Sequence, residues 1–219
     1  MVALFLLALG LQQTPVLAGT YDELNLNQKR AVQSGEQVII LTEDQRSLWP
    51  KVIVYQRIGA TTEESAAVLA DYELQMTYLP GLLQSDIVRR INKSTTYVEY
   101  IMDLPWPLSD EIYVMEDRIS SYDNGNSYRI DWQMISSDST KHIEGNARFE
   151  SLGTGTLLAY SNFIIPTSVM AGSFKNRFVK QMSQTVDAIA SQVEKERIQN
   201  QNLLDRQLIS LREALRQAL

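Results

Sequence analysis

At 219 residues the chain has the length of one ordinary domain with a substantial core. Its formal net charge of −6 argues against a nucleic-acid binder, which normally shows a basic face, and its 44% apolar content argues for a globular rather than a disordered chain. The lack of cysteine removes disulfides, thiolate nucleophiles and thiolate metal sites together, without fixing the compartment.

The first eleven residues, MVALFLLALGL, carry no charge, and Val16-Leu17-Ala18 ends in a small residue before Gly19. Such a run followed by a small-residue site reads as a cleavable secretory signal. It falls short of the roughly 20 residues of a membrane span. No Lys or Arg precedes it, so the signal is atypical or the start is misassigned; a buried strand or short helix is the alternative. Cleavage after Ala18 implies a mature protein beginning at Gly19, in the periplasm or secreted.

Thr20 to Gln37 is polar and reads as one exposed helix or linker around Tyr21 to Val32. Val38-Ile39-Ile40-Leu41 and Lys51 to Ile58 are strand candidates, joined by a polar turn containing Trp49. Thr61-Thr62-Glu63-Glu64 opens a helix, because a Thr cap and first-turn carboxylates satisfy orphan amides and complement the helix dipole. Ala66, Ala67, Leu69 and Ala70 give it an apolar face, a short turn occupies Glu73 to Tyr78, and Pro80-Gly81 stops it.

Six strands follow: Gln84 to Asn92, Thr95 to Met102, Glu111 to Ser121, Ser127 to Ser136, His142 to Leu152 and Thr156 to Ile165. Their connections are too short for parallel crossovers, which need a dozen residues or so, and this predicts an antiparallel meander. Tyr128, Ile130, Trp132 and Met134 alternate with Arg129, Asp131 and Gln133, so that strand has one apolar face. From about Thr167 the chain reads as helix, with Phe174, Phe178, Met182, Val186, Ile189 and Val193 in one apolar stripe. That stripe must cover something, and the sheet is the large apolar partner available.

Beyond Val193, Ile198, Leu204, Leu208, Leu211, Leu215 and Leu219 recur at helical spacing. The spacing suits a coiled-coil seam. From Lys195 the tail holds five basic and three acidic residues. Self-association is the first reading, a solvated extension of the last helix the second, and transient contact with an anionic membrane surface the third.

Catalytic signals are sparse. The single histidine, His142, has no Ser placed beside it by sequence, and no Gly-x-Ser-x-Gly elbow occurs. Without cysteine and with one histidine, no metal cluster is expected. Asp123-Asn124-Gly125-Asn126 begins like a calcium loop but lacks the later acidic ligand, and it reads as a hairpin turn. Gly153-x-Gly155 is likewise a hairpin rather than a phosphate cradle, since no helix follows.

Asp103-Leu104-Pro105-Trp106-Pro107-Leu108-Ser109-Asp110-Glu111 is the most distinctive stretch. Its two prolines mark a connection between strands, and a Trp there folds back on the core or meets a ligand. This connection resembles the central hairpin of START-type domains. The helix Thr61 to Asp71 with its trailing Tyr-Leu-Pro, and Gly155-Thr156-Leu157-Leu158-Ala159-Tyr160 before the last helix, strengthen a resemblance to the START-like (SRPBCC) superfamily, which includes bacterial proteins labelled polyketide cyclase/dehydrase and lipid transport. The resemblance covers roughly 37–193. One departure is that relatives often carry an Arg-Asp pair after the Pro-x-Pro-Leu connection, where this chain has Asp110-Glu111, so no charged ligand-recognition role is transferred.

The resemblance implies an α+β helix-grip fold, a curved antiparallel β-sheet wrapped around a long C-terminal α-helix, with a helical insertion after the first strands. The domain reading is a signal peptide over 1–18, a polar N-terminal segment over 19–36, a START-like ligand-binding domain over 37–193 and a Leu-rich helical tail over 194–219. It further implies a cavity between sheet and helix that binds a lipid or other hydrophobic small molecule, with no cofactor and no catalysis. The expected lining is Met102, Trp106, Tyr113, Met115, Tyr128, Ile130, Trp132, Phe174, Phe178 and Met182, since Met and aromatics suit an adaptable apolar site. Two alternatives stay open: an enzyme of the cyclase or dehydratase type acting on a polyketide-like substrate, with buried acid–base groups in the cavity, and a protein-interaction module with a filled core and a binding surface on the C-terminal helix.

Overall fold

The structure is a computed structural model that describes residues 19–104, 110–167 and 169–216. Residues 1–18, on which the expected signal falls, Trp106 with its flanking prolines, and Leu219 lie outside the described residues.

Eight strands form one antiparallel sheet: β1 (Val38–Thr42), β2 (Lys51–Ile58), β3 (Leu82–Arg90), β4 (Thr95–Met102), β5 (Glu111–Tyr122), β6 (Ser127–Ser137), β7 (Thr140–Leu152) and β8 (Gly155–Pro166). Their order is β1-β2-β8-β7-β6-β5-β4-β3. The β3–β8 part is the expected meander, and the β1–β2 hairpin adds to its last strand through pairs such as Val54↔Tyr160. Between β2 and β3 the chain crosses the sheet through α2 (Thr62–Leu69) and a 3₁₀ turn at Tyr72–Thr77. Two C-terminal helices follow, α3 (Lys175–Gln199) and α4 (Gln201–Leu215); α1 (Leu26–Gln33) lies ahead of β1.

Local chemistry sets these boundaries. Thr61 caps α2 in a reciprocal box: its side chain accepts from the Glu64 amide at 3.2 Å, and the Glu64 carboxylate accepts from the Thr61 amide at 2.8 Å. Asn25 and Gln28 repeat the arrangement at α1. The β5–β6 hairpin turns through Asp123, Asn124 and Gly125, all at positive φ, which Asn, Asp and Gly tolerate best. The last helix starts later than the expected Thr167 and runs past the end of its apolar stripe at Val193. It begins at Lys175 after a 3₁₀ segment, Val169–Phe174, and it breaks at Asn200 (φ −132°, ψ 45°).

The sheet is buried on two faces. On the concave face, Phe178, Met182, Val186, Ile189 and Val193 of α3 join one core cluster with Val52, Val98, Met115, Ile130 and the α2 residues Ala66–Leu69. Removing such a side chain from water contributes about 1.5–3 kcal/mol. On the opposite face, Leu24 and Val32 pack with Val38, Tyr55, Leu157 and Ala159. There the Thr20 amide and hydroxyl both donate to the Glu150 carboxylate, and Arg148 donates to Glu23 at 2.8 Å. The polar segment 19–36 is thus a strap bound to the sheet rather than an exposed linker.

The tail also departs from expectation. Leu204 and Leu211 are fully buried, and Leu208 and Leu215 pack on the same core cluster. Gln207 donates to Asp71 at 3.0 Å, and Arg212 grips Glu63 at 2.6 and 2.7 Å. The break at Asn200 lets α4 fold back onto α2, so the leucine stripe is turned inward instead of forming a free coiled-coil seam or a solvated extension. Ile198, next to the break, remains exposed.

Candidate functional site

Alternation along the strands sends every second side chain to the concave face. On β5 these are Tyr113, Met115 and Asp117; on β6, Ile130 and Trp132; on β8, Tyr160, Asn162 and Ile164. α2 lies over β6–β8 and α3 over β2. Between them the helices leave a cavity of about 640 Å³. Phe174, Phe178 and Met182 close it from the α3 side, and Leu69, Tyr72 and Gln75 close the α2 end. At the other end lie Leu104, Asp110, Asp138, Ser139, Thr167 and the exposed Arg177, where β4, β7, β8 and α3 begin or end. This end is the mouth.

Of the ten residues expected at the site, Met102, Tyr113, Met115, Ile130, Trp132, Phe174, Phe178 and Met182 line this cavity. Trp106 lies outside the described residues. Tyr128 shares the strand face of Ile130 and Trp132 but does not reach the space. It is buried, near enough to Glu63 of α2 and Arg212 of α4 for both charges to act on its phenol. The helix α2 covers that stretch of β6, so Tyr128 is a core residue and the expectation is corrected.

Sequence reasoning missed several lining groups. Trp49 comes from the β1–β2 connection and stacks on Phe178 with ring centroids 4.7 Å apart and planes at 15°. Tyr72, Tyr100, Tyr160, Asn162 and Asp117 also line the cavity. Tyr100 and Asp117 fall at inward positions of their strands, two residues from Met102 and Met115, so alternation alone could have found them. Trp49 and Tyr72 come from irregular segments with no such signal.

The cavity floor depends on a glycine. Trp132 pairs across the sheet with Gly145, and a Cβ on Gly145 would stand 2.3 Å from the Ser161 carbonyl oxygen and 2.6 Å from the Trp132 ring. Without that Cβ the indole lies against the sheet. Its Nε1–H donates to Asn162 Oδ1 at 3.3 Å, and its ring meets Tyr160 at 4.9 Å.

The wall is mostly apolar; its charged groups lie at the mouth, apart from Asp117, which is the one charged inner lining residue among the described residues. Asp117 is 4% exposed and Tyr72 3%. The Asp117 Oδ2 and Tyr72 hydroxyl oxygens have no hydrogen-bond partner among the described residues. Burial, with a smaller push from Glu116, holds the Asp117 carboxyl well above the usual carboxylate range. Burial also raises the phenols of Tyr72 and Tyr100, and Asp117 adds to both shifts. At the mouth, Glu111 is tied up by the hydroxyls of Ser137 and Ser139.

Other chemistry lies elsewhere. His142 alternates with the cavity-lining Ile143, faces the other side of the sheet, and sits 3.2 Å from Glu144. No cluster of three or more His, Asp or Glu suited to a metal occurs among the described residues.

No family model matches the chain, and none of the curated proteins matches it in sequence. Solved structures do. A STAR-related lipid transfer protein from Xanthomonas axonopodis matches with a TM-score of 0.65 at 14% identity, over 72% of this chain and 93% of that one. Human StAR-related lipid transfer protein 5 matches at 0.61 and 12%, over 77% and 91%. The Zhui aromatase/cyclase from Streptomyces sp. R1128 matches at 0.57 and 14%, over 67% and 94%. At these identities the likeness is one of fold. The chain has the helix-grip fold of the START-like superfamily, shared by lipid-transfer proteins and by aromatase/cyclases.

Proposed function

We propose that the protein binds a lipid or other hydrophobic small molecule in the cavity between the sheet and α3, and carries or senses it without changing it. The observation that carries this reading is the cavity itself. Its volume of about 640 Å³ lies within the roughly 300–1,000 Å³ range of small-molecule sites, and an apolar wall with few polar groups is their usual character. A filled core would have favoured the interaction module, which also needs the leucine stripe of α4 that is turned inward. Fold alone does not decide function. The test is transfer of a fluorescent lipid between donor and acceptor vesicles. Carriage predicts acceleration in proportion to protein, with the lipid recovered unaltered. No acceleration and no lipid retained by the protein would overturn it.

Asp117 and its tyrosines favour a second reading, an enzyme of the cyclase type, because a buried carboxyl with a raised pKa is a ready acid or base. Turnover of an aromatic polyketide-like substrate, lost in Asp117→Asn, is the result that would promote it.

The N-terminal run supports export with cleavage after Ala18. N-terminal sequencing of protein recovered outside the cytoplasm should read from Gly19; intact Met1 would refute cleavage.

A further inference from the structure

We propose that the cavity selects an amphiphile whose leading end carries a hydrogen-bond donor and no negative charge, received at the α2 end by Asp117 and Tyr72. The inference rests on the cavity being a ligand site and names the chemistry of the ligand.

Three observations converge. First, the cavity has polarity at two ends and little between. Along β5, Glu111 sits at the mouth and Asp117 six residues further in, so Asp117 lies on the order of 20 Å deeper at a strand's rise per residue. Second, two buried polar atoms at this inner end, Asp117 Oδ2 and the Tyr72 hydroxyl, lack partners among the described residues. Buried polar groups are normally satisfied, and an exception asks for an explanation. A ligand hydroxyl resolves both at once, donating to Asp117 while accepting from Tyr72. An ammonium resolves Asp117 by charge and can donate to Tyr72, among the ring faces of Tyr100 and Tyr113. The shared chemistry is the donor.

Third, the charge of the lining has one sign. Asp110, Glu111, Asp117 and Asp138 line it, against Arg177 alone at the mouth, and no lysine does so among the described residues. A carboxylate or phosphate driven inward would lose its water with no cation among the inner lining residues to replace it. An anionic group fits only at the mouth, beside Arg177. The direction of entry is thereby set: apolar body along Met115, Ile143 and Ile164, donor first.

The experiment titrates the full chain, purified without detergent, with three probes of one chain length: decan-1-ol, decylammonium and decanoate. Displacement of a bound apolar dye is the readout, run on the wild type, Asp117→Leu and Asp117→Asn. In the wild type the alcohol, the ammonium or both bind about tenfold or more tightly than decanoate, the factor that about 1.4 kcal/mol of binding free energy gives. Asp117→Leu loses that preference while still binding the dye. Asp117→Asn keeps an acceptor without a charge, so retained preference identifies the hydroxyl and lost preference the ammonium. If decanoate binds as well as the others, or the order is unchanged in Asp117→Leu, the proposal is overturned and the cavity reading stands. If neither dye nor any probe binds the wild type, the ligand-site reading itself falls.

Discussion

Asp117 should make the unliganded protein less stable than it could be, and in a pH-dependent way. Its carboxyl is buried, one oxygen is unpartnered, and burial raises its pKa well above the usual range. The unfolded chain releases this proton near pH 3.9 or so, whereas the folded chain holds it to a higher pH. The folded state therefore binds more protons, and stability falls as pH rises between the two pKa values, by about 1.4 kcal/mol per pH unit. Asp117→Asn has nearly the same size and no proton to hold. Its advantage over the wild type should be small at pH 4 and should widen until the folded carboxyl itself ionises. Asp117→Leu also removes the unsatisfied oxygen, which costs roughly 1–3 kcal/mol. For a domain of this size each kcal/mol moves Tm by roughly 2–4 °C. Calorimetry of the wild type and both variants from pH 4 to 8, with ligand stripped by organic extraction, measures the effect. Parallel curves for wild type and Asp117→Asn, or a lower Tm for Asp117→Leu at pH 7, would refute the reasoning.

Gly145→Ala should cost about 3 kcal/mol, the upper end for overpacking, since a backbone carbonyl 2.3 Å from the new Cβ cannot rotate away; chemical denaturation measures it, and an unchanged midpoint refutes the close approach. Leu204→Ala should cost roughly 2–5 kcal/mol because the side chain is fully buried under α2 and α3; a change below about 0.5 kcal/mol, the surface value, would mean that α4 is not docked. Glu23 is held below its ordinary pKa chiefly by its bond from Arg148, with Tyr55 donating as well, so its contribution is complete above the unfolded pKa and disappears as pH falls through the folded one. With about a third of the side chain exposed, screening limits that contribution to about 1 kcal/mol. Glu23→Gln should be less stable than the wild type at pH 7, and the difference should shrink as pH falls below the unfolded value of about 4.3, by thermal melts; a difference that stays constant or grows on acidification would refute the linkage.

The strand and helix order was largely legible because it rests on short-range physics. The alternation Tyr128-Ile130-Trp132, the Thr61–Glu64 cap and the Asp123–Gly125 turn each specify their own local structure, and the antiparallel meander follows from short connections. What the chain does over long range was less legible. The stripe Leu204–Leu215 looks the same whether it meets a second copy or α2; the difference lies in Asn200, whose departure from helical geometry has no strong sequence signature. The strap 19–36 reads as polar because its apolar residues are sparse, and of these Leu24 and Val32 dock while Leu26 stays exposed. Tyr128 was misplaced because parity assigns a face without saying what covers it. Asp117 was overlooked for a different reason. A polar residue at an inward strand position conflicts with local patterning, and such conflicts are expected at functional sites.

The most direct test of the central claim is native mass spectrometry of the protein purified without detergent from a lipid-containing host, beside Ile164→Trp, which places an indole in the cavity. The account predicts a co-purifying mass on the wild type that leaves on activation, extracts into organic solvent and is missing from the folded variant. A wild type that stays ligand-free after incubation with mixed lipids, or a ligand equally present on the variant, would contradict it.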